Sequence, residues 1–322
     1  MKLLIVTQKV DFGDSNLGFF HSWISEFSKY CEQVIVICLQ EGEHNLPANV
    51  TVKSLGKERG TGKLTQVLRF AFCVLRSDYE VVLVHMNPEY LVLAGWWWRF
   101  LGKKIALWYT HKHVDLKLRV AEKFANIIFT ASTESFRLKS KKVLVTGHGI
   151  DTDFFSPGAK HFRDSQGGKV LTVGRITRSK NLEEIIKAVG PGCELAIAGA
   201  PITESDREYQ RSLESKANFI GPVAYQDLPD LYRSADLFVN ASTTGSIDKA
   251  VLEALACNVP VVTTNEAFKQ VAHIYVEISD LRKTITTTLE LEHYQPSLRS
   301  WVIKSHSLKN LIPQIVQNLD KC

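Results

Sequence analysis

The sequence repeats one pattern in both of its halves, in which short apolar runs alternate with stretches of helical spacing. Runs without a polar face are typical of parallel strands buried between two layers of helices. In the first half the runs begin at Leu3, Val34, Val81, Ile105, Ile127 and Val143. In the second half they are VLTVG, ELAIAG, NFIG, DLFVN and VPVVTT. The pattern predicts an α/β protein with two Rossmann-like parallel-sheet domains.

The helical stretches and the chain length also favour two domains. Apolar residues recur at helical spacing after the first run of each half, at Phe20, Trp23, Ile24 and Phe27 and at Leu182, Ile185, Ile186 and Val189. With 322 residues the chain exceeds the usual size of a single hydrophobic core. Residues 156–168 are rich in Pro, Gly and charged side chains, which indicates a linker. We therefore predict an N-terminal domain over 1–153 and a C-terminal domain over 154–302.

Composition and charge exclude several classes of protein. With 45% hydrophobic and 23% charged residues the chain has the composition of an ordinary globular protein. Its net charge of +5 suits an anionic ligand, but no basic run is interleaved with aromatic residues, so we expect no nucleic-acid partner. The six cysteines lack zinc spacing and suit a reducing compartment. Because no apolar stretch is long enough to cross a bilayer, we expect a cytoplasmic protein.

The segment VLTVGRITRSKNLEEIIKA predicts an anion-binding site. A strand ends at Gly174 and Arg175, and Lys180 precedes an amphipathic helix. Glycine permits a tight turn with close backbone approach, and two cations beside a helix N-terminus suit a phosphate. The alternative is a solvated Arg and Lys on an ordinary turn. In both cases we expect Arg175 and Lys180 to contribute little to stability, because exposed charges do so only weakly.

The segment DLFVNASTTGSIDKAVLEALACNVPVVTT predicts a strand, a turn, a helix and another strand. Thr244, Gly245 and Ser246 in the turn would present backbone N–H groups to an anion or a sugar hydroxyl. Glu253 lies among apolar helix residues, where a carboxylate needs a partner such as the hydroxyls of a ribose. The alternative for Glu253 is a position on a solvated helix face.

These segments resemble those of the retaining nucleotide-sugar glycosyltransferases of GT-B fold, which include phosphatidylinositol mannosyltransferases and bacterial capsule and lipopolysaccharide enzymes. GHGIDTDFFSP resembles the interdomain segment of that family, VGRITRSKNLEEIIKA its diphosphate-binding segment, and VLEALACNVPVV its ribose-binding helix. The resemblance implies a nucleotide-sugar donor, with Arg175 and Lys180 on its diphosphate and Glu253 on its ribose. It also implies two domains facing a cleft, with the acceptor on the side of residues 1–153 and the donor bound by residues 154–302. A helix over 303–322 would return to the first domain.

The resemblance implies the chemistry as well. The acceptor would be a glycan or a lipid-linked sugar, as in polysaccharide biosynthesis. The acceptor hydroxyl would attack on the face from which the diphosphate leaves, with retention of configuration, and the donor phosphate would accept the proton. No metal and no cofactor besides the donor are implied, because Arg175, Lys180 and helix-end N–H groups can stabilise the departing diphosphate.

One position departs from the family pattern. The family usually carries a second glutamate eight positions before Glu253, and this chain has Gly245 there. That carboxylate commonly contacts the donor sugar. Asp248 lies one helical turn away and could replace it, or could simply be a negative charge at a helix N-terminus.

Two features of the N-terminal half complete the predicted site. The loop KVDFGDSNLGFF resembles the family's glycine-bearing loop at the sugar and acceptor, where Gly13 and Gly18 would let the backbone approach a ligand and Asn16 would donate a hydrogen bond. The alternative is an ordinary turn between a strand and a helix. His111, which follows IALWYT, matches a histidine that the family places near the transferring sugar, where it would orient the donor or the attacking hydroxyl.

Two short motifs offer a metal site as a rival hypothesis. His111, His113 and Asp115 spell HxHxD, but no second cluster of ligands is evident in the sequence. Asp151, Thr152 and Asp153 spell DxD, which after Gly149 favours a turn or a cap. We therefore expect no bound metal.

The segment YLVLAGWWWRFLGKKIALWY joins three tryptophans to Arg99, Lys103 and Lys104. Aromatic and basic side chains together are typical of peripheral contact with a membrane. The alternative is a buried helix that precedes the strand at Ile105.

Two other functions remain open from the sequence. One is a sugar-nucleotide epimerase or phosphorylase of the same fold, which would turn over the donor without an acceptor. The other is a non-catalytic protein that binds nucleotide sugars, which only the replacement at Gly245 favours.

Overall fold

The computed structural model describes residues 1–158, 168–271, 273–290 and 296–321. The chain packs as two units, Met1–Gly149 with Ser307–Cys322, and Ile150–His306. The division at Gly149 lies inside GHGIDTDFFSP, a few residues before the predicted boundary at 153. Most of the predicted linker, residues 159–167, lies outside the described residues.

The N-terminal unit is built on a parallel sheet of seven strands, ordered β3-β2-β1-β4-β5-β6-β7. The strands are β1 (Lys2–Val10), β2 (Gln33–Glu41), β3 (Val50–Ser54), β4 (Val81–His85), β5 (Lys104–Trp108), β6 (Ile127–Thr130) and β7 (Val143–Val145). The helices are α1 (Phe19–Ser28), α2 (Lys63–Arg76), α3 (Pro88–Phe100) and α4 (Leu116–Phe124). Sequence analysis missed β3, because this edge strand reads VTVKS and lacks a continuous apolar run.

The C-terminal unit has a parallel sheet of five strands, ordered β10-β9-β8-β11-β12. The strands are β8 (Lys169–Val173), β9 (Glu194–Ala198), β10 (Asn218–Gly221), β11 (Leu237–Asn240) and β12 (Val261–Thr263). The helices are α5 (Leu182–Ala188), α6 (Glu204–Arg211), α7 (Leu228–Arg233), α8 (Lys249–Ala256), α9 (Leu281–Glu290) and α10 (Pro296–His306). A last helix, α11 (Leu308–Lys321), packs in the N-terminal unit.

Helices cover both faces of the first sheet. Leu3 and Ile5 of β1 point into a core shared with α1 and α11. Leu4 and Val6, which alternate with them, point into a second core shared with α2, α3 and α4. The residues that α11 buries are Leu308, Leu311, Ile312, Ile315 and Leu319. Burial on both faces is the physical reason why the strands read as continuous apolar runs.

Each sheet has one place where the strand order reverses. In the first sheet it lies between β1 and β4, and in the second between β8 and β11. Ligands of open parallel sheets bind in the crevice at the carboxyl ends of the strands beside such a reversal. The loops after β8 and β11 carry the C-terminal residues that the sequence singled out, so topology alone brings these residues together.

Gly149 offers a test of the packing between α1 and α11. It has a φ of +73°, and a Cβ there would lie 2.5 Å from side-chain atoms of Trp23 and Leu311. We expect Gly149→Ala to lower the free energy of unfolding by about 2 kcal/mol, through backbone strain and overpacking. Urea unfolding measures the loss. Gly190→Ala is the matched control, because a Cβ at Gly190 meets no atom within 4 Å; an equal loss in both variants would contradict the packing argument.

Candidate functional site

Three neighbouring strands of the C-terminal sheet end at glycines. Gly174, Gly199 and Gly221 have φ angles of +151°, +143° and +81°. The N–H of Gly199 donates to the carbonyl oxygen of Gly221 at 2.8 Å. A Cβ on Gly199 would lie 1.8 Å from the carbonyl oxygen of Gly174, so only glycine fits there. The glycines therefore let the backbone segments at the carboxyl edge of this sheet pack closely together.

Arg175 directly follows the first of these glycines. Its side chain is exposed, and it forms no ion pair or side-chain hydrogen bond with the residues that the structure describes. A guanidinium presents five N–H donors in a planar fork that suits phosphate oxygens. Arg175 is thus placed as predicted for a residue that binds an anion at the end of β8.

Lys180 differs from Arg175, because its charge is paired inside the protein. It ends the 3-10 turn Arg178–Lys180, and its Nζ forms an ion pair with Oδ2 of Asp248. The two side chains are only 16% and 11% exposed. The same carboxylate oxygen accepts a hydrogen bond from Nδ2 of Asn240 at 3.1 Å. The expectation that Lys180 contributes little to stability assumed a solvated charge, and the structure shows instead a largely buried, paired one.

Gly174 leaves the space that the Lys180 side chain occupies. A Cβ on Gly174 would lie 3.2 Å from Cε and 3.4 Å from Nζ of Lys180. A Cβ at this position would crowd the end of the Lys180 side chain, which would have to shift by a few tenths of an ångström. The glycine of the predicted phosphate turn thus has a second role, which is to position the lysine.

Asp248 has one of the two roles that the sequence left open, a negative charge at a helix N-terminus. It is the N-cap residue of α8, although its side chain makes no capping hydrogen bond. Burial alone would raise the pKa of Asp248. The Lys180 charge, together with hydrogen bonds from Lys180 and Asn240, outweighs burial and holds the pKa below its usual value of 3.8. Asp248 therefore stays ionised and compensates the charge of Lys180.

The N-terminus of α5 is less suited to an anion than the sequence predicts. The N–H of Leu182 donates to Oη of Tyr209 at 3.1 Å. Glu183 and Glu184 both lie in the first turn, and Glu183 accepts a hydrogen bond from Tyr209. Since the first N–H is occupied and two carboxylates are near, the predicted sharing of an anion by this helix end is not supported.

The predicted turn lies between β11 and α8. Residues 244–246 form it, and Gly245 has a φ of +59°. The N–H of Thr243 donates to the carbonyl oxygen of Ser179 at 2.9 Å, which links the turn to the segment that carries Lys180. On the other side, Nδ2 of Asn265 donates to the carbonyl oxygen of Ser246 at 2.9 Å. The structure thus brings Thr244, Gly245, Ser246, Asp248 and Lys180 into one cluster.

Glu253 is buried in α8 and has partners within the chain. Its side chain is 3% exposed, and its Oε1 lies 2.8 Å from Nζ of Lys249. Its Oε2 accepts a hydrogen bond from Oη of Tyr232 at 2.9 Å. Burial, and then the charge of Glu253, raise the pKa of Tyr232 well above 10, so its hydroxyl remains a donor. Tyr232 therefore satisfies Oε2. Oε1 has the Lys249 charge nearby but no hydrogen-bond partner among the described residues, so the need for a partner, from which a ribose contact was argued, is met only in part.

Sequence analysis missed several of these partners. Asn240 ends β11 and is buried, and its Oδ1 accepts a hydrogen bond from Oγ1 of Thr263 at 3.1 Å. The sequence signal for Asn240 was its position, because it is a polar residue at the end of an apolar run. Lys249 lies one helical turn before Glu253, which was a signal for an ion pair. Tyr232 lies on another helix, and no local pattern points to it.

Charged residues organise the loop after β1. Nζ of Lys9 lies 2.9 Å from Oδ2 of Asp11 and 2.6 Å from Oδ2 of Asp14. Oδ1 of Asp14 accepts the N–H groups of Asn16 and Leu17 at 2.9 and 2.7 Å. The backbone of the loop is therefore fixed by three side chains that sequence analysis did not select.

The predicted residues of this loop differ in exposure. Gly13 and the side chain of Asn16 are exposed, whereas Gly18 is buried at the start of α1. Gly18 has a φ of −54°, and Gly13 has no left-handed φ, so the backbone conformation requires glycine at neither position. Asn16 is placed to donate a hydrogen bond from its side chain, as the resemblance implies.

His111 lies in the exposed segment after β5. Its Nδ1 accepts the backbone N–H of His113 at 3.1 Å. The neutral ring therefore carries its hydrogen on Nε2, which makes Nε2 a hydrogen-bond donor. This arrangement suits a residue that orients a substrate oxygen better than one that removes a proton.

The two metal-like motifs have local structural roles. Oδ1 of Asp115 accepts the N–H of Leu118 at 2.8 Å and so caps α4. Oδ1 of Asp151 accepts the N–H groups of Asp153 and Phe154 at 3.3 and 3.1 Å, which confirms the predicted turn. In the described part of the chain, no three His, Cys, Asp or Glu side chains converge as metal ligands would.

The tryptophan segment divides between the core and the surface. Trp98 is fully buried in α3, and its Nε1–H donates to Oη of Tyr79 at 2.9 Å. Trp97 packs against the same core, whereas Trp96 and Phe100 are exposed. Trp97 and Trp98 therefore fit the predicted buried helix, whereas Trp96 and Phe100 are exposed, as the alternative of membrane contact requires. None of the described helices is both long and apolar enough to span a bilayer.

Comparison with known proteins finds a family similarity in the C-terminal unit. The model of the family described as Glycosyl transferases group 1 matches residues 158–274. A mannosylfructose-phosphate synthase from Agrobacterium fabrum is 30% identical over 155 residues, which are 41% of this chain and 34% of that protein. The chain thus spans about a third of the length of the curated relatives it matches.

Solved structures show the fold over the whole chain. An Anabaena protein, HepE, solved in complex with UDP and glucose, has a TM-score of 0.76 and 17% identity, with all of both chains covered. A UDP-GlcNAc 2-epimerase from Methanocaldococcus jannaschii has a TM-score of 0.60 and 15% identity, also over all of both chains. The fold is GT-B, as predicted, and it is shared by the protein solved with UDP and glucose and by the UDP-GlcNAc 2-epimerase.

The different surroundings of the two cations predict different effects on stability. Lys180→Ala would leave Asp248 buried without its ammonium, so we expect it to lower the free energy of unfolding by about 3 kcal/mol at neutral pH. Because the pKa of Asp248 is depressed, this contribution is present above 3.8 and is lost as the pH falls through the folded value. Urea unfolding at several pH values measures it.

Arg175→Ala is the matched control for that experiment. Its side chain is exposed and unpaired among the described residues, so the unfolding midpoint should stay within error of the parent. A loss for Lys180→Ala that is as small as the one for Arg175→Ala, or that grows in acid, would contradict a buried ion pair.

Proposed function

We propose that this chain, whose residues 158–274 carry a Glycosyl transferases group 1 domain, is a glycosyltransferase. It transfers a sugar from a nucleotide-sugar donor to a glycan or a lipid-linked acceptor, with retention and without a metal ion. The relative that synthesises mannosylfructose phosphate and the neighbour that holds UDP and glucose both support a sugar donor of this class.

One observation carries the proposal. Arg175 and Lys180 lie on the loop after β8, beside the strand-order reversal of the sheet and next to backbone that carries no side chains. A diphosphate needs cationic donors and close approach to backbone, and this loop offers both. Lys180 is already paired with Asp248, so Arg175 contributes the larger uncompensated charge to the donor.

The residues divide the work of the reaction. The oxygen of the acceptor hydroxyl forms a bond to the anomeric carbon while the bond from that carbon to the diphosphate oxygen breaks. The nucleoside diphosphate leaves with the electron pair, and a phosphate oxygen takes the proton of the acceptor. Arg175 and Lys180 stabilise the charge that grows on the diphosphate. His111 donates through Nε2 to an oxygen of the transferring sugar.

The residues proposed to bind the donor sugar differ from those usual in the family. Residues 244–246 take the place where the family usually has a glutamate, and Asp248 is committed to Lys180. We propose that the backbone of Gly245 and Ser246, with the hydroxyl of Thr244, holds the sugar through neutral hydrogen bonds. We retain Glu253 as the ribose contact, in which case it shares its carboxylate with Tyr232 and Lys249.

The decisive experiment is a panel of UDP- and GDP-sugars, first for thermal stabilisation and then for turnover with candidate acceptors. A transferase releases nucleoside diphosphate only with an acceptor. Conversion of the donor without an acceptor would instead support the epimerase that shares the fold. The assay is run with and without a chelator, because restoration of activity by Mn²⁺ or Zn²⁺ would overturn a metal-independent site.

Arg175 gives the sharpest test of the donor site. Arg175→Ala should weaken binding of UDP or GDP by about 10- to 100-fold, because it removes a hydrogen bond between charged groups. Calorimetry measures the affinity. Arg178→Ala is the matched control on the same loop, since the Arg178 guanidinium lies 5.1 Å from the ring centre of Tyr209. Parent-like affinity in Arg175→Ala would place the diphosphate elsewhere.

His111 should act mainly in the reaction and not in ground-state binding. His111→Ala should lower kcat by about 10-fold or more and change donor affinity much less, whereas His111→Gln should recover part of the loss because its amide can donate. Steady-state kinetics and calorimetry separate the two quantities. His113→Ala, which keeps the backbone N–H that His111 accepts, should do less; equal effects from both would remove His111 from the reaction.

A further inference from the structure

Met86 follows β4 in a backbone conformation that suits few types of residue. Its φ is +62°. Three other non-glycine residues in the described part of the chain have a left-handed φ, Asn181, Asn258 and His273, and all three belong to types that are enriched in this conformation. Methionine is not one of those types. Backbone strain of this kind persists only where the surroundings hold it, and it is concentrated at functional sites.

The left-handed turn replaces one hydrogen bond of the sheet with another. The N–H of Met86 donates to the carbonyl oxygen of Trp108 at 2.8 Å, one step beyond the last paired residues of β4 and β5. In a parallel ladder the next bond would run from the N–H of Thr110 to the carbonyl oxygen of Met86. That N–H donates instead to the sulfur of Met86, Sδ, at 3.3 Å. The side chain of Met86 therefore serves as the acceptor in place of its backbone.

Thr110 reaches the same sulfur with its side chain. Oγ1 of Thr110 donates to Sδ of Met86 at 3.4 Å, so both donors of this residue share one acceptor. A thioether sulfur is a weak, polarizable acceptor, whereas a leucine of similar volume accepts no hydrogen bond. Met86 also packs against the core that α1 and α11 share. Its sulfur thus adds a polar contact to an otherwise apolar role.

The residue that Met86 holds directly precedes His111. On the other side of His111, Oη of Tyr109 donates to the carbonyl oxygen of His113 at 3.1 Å. The N–H of His113 in turn donates to Nδ1 of His111. The turn that carries the imidazole is therefore fixed at both ends, by Thr110 before it and by His113 after it.

We propose that Met86 is a positioning residue for His111. Its sulfur holds Thr110, and through Thr110 it keeps the Nε2–H of His111 in one direction. The left-handed backbone is what brings the sulfur to Thr110, which gives the strained conformation a function. The place also fits, because β4 borders the strand-order reversal of the first sheet, where ligands of open parallel sheets bind. The proposal rests on the proposed function in that His111 donates to an oxygen of the transferring sugar.

The kinetic test compares two replacements of Met86. Met86→Leu keeps the volume and loses the acceptor, whereas Met86→Gln offers an amide oxygen. We expect Met86→Leu to lower kcat by about 3- to 10-fold, as the loss of a neutral hydrogen bond does, and to change the affinity for UDP or GDP by less than about 2-fold. Met86→Gln should recover part of kcat. Leu46→Met is the matched control, because it makes the reverse exchange against the same core and should leave kcat unchanged.

A double-mutant cycle separates positioning from a general structural effect. If Met86 acts through His111, Met86→Leu should lower kcat no further once His111→Ala is present. A merely structural role would lower kcat by the same factor in both backgrounds. Thr110→Val removes the hydroxyl donor and keeps the N–H, so it should cause a smaller loss than Met86→Leu. Urea unfolding and circular dichroism check that each variant is folded.

A second readout needs no turnover. Nitrogen NMR spectra of the histidine rings, in mildly alkaline buffer where an ordinary imidazole is neutral, report which ring nitrogen carries the hydrogen. The signals of His111 are those that His111→Ala removes. In the parent they should show the hydrogen on Nε2. In Met86→Leu they should move towards the average of the two tautomers, and in Met86→Gln they should return towards the parent.

Two results would overturn the proposal. The first is a set of His111 ring signals that stays parent-like in Met86→Leu, and the second is a fall in kcat that is equally large with and without His111. Altered ring signals with a parent-like kcat would support the positioning role of Met86 and count against the role of His111 in the reaction. A parent without turnover would count against the proposed function, and the ring signals would still decide on Met86.

Discussion

All strands of both sheets run parallel, and this arrangement limits where chemistry can take place. A parallel sheet must be covered by helices on both faces, so the side chains of its strands belong to the core. Functional groups are left to the loops at the carboxyl ends of the strands. In the C-terminal unit the loops after β8 and β11 meet beside the strand-order reversal. The pairing of Lys180 with Asp248 and Asn240 follows from that meeting, and so does the exposure of Arg175 next to it.

The sequence predicts the fold well, because strands that are buried on both faces of the sheet appear in it as continuous apolar runs. The runs at Leu3 and Val81 are strands, and the helical spacing from Phe20 to Phe27 is α1. The same reasoning fails for β3, which is an edge strand and alternates in polarity. It also fails for α2, whose apolar residues are divided between the core and the solvent.

The sequence predicts where the candidate site lies better than it predicts which residues contact each other there. Residues after a strand can be found by reading along the chain, and this finds Arg175, Lys180 and His111. Contacts between distant segments leave no such trace. Lys180 and Asp248 are 68 positions apart, and Tyr232 and Glu253 are 21 apart. The first pairing shows that Lys180, which the sequence suggested to be a surface cation, is largely buried. The second shows that the buried carboxylate of Glu253 has a partner within the chain.

The position of α11 has a consequence for the order in which the protein is made. The core of the N-terminal unit contains Trp23 and Ile24 of α1 together with Leu311 and Ile315 of α11. At a synthesis rate of about 5–20 residues per second, residues 150–306 take on the order of ten seconds or more to appear between them. The C-terminal unit is one continuous stretch and can close its core during that time. The C-terminal unit can therefore complete its core before the N-terminal unit does, and the face of α1 that α11 covers stays uncovered until α11 has been made.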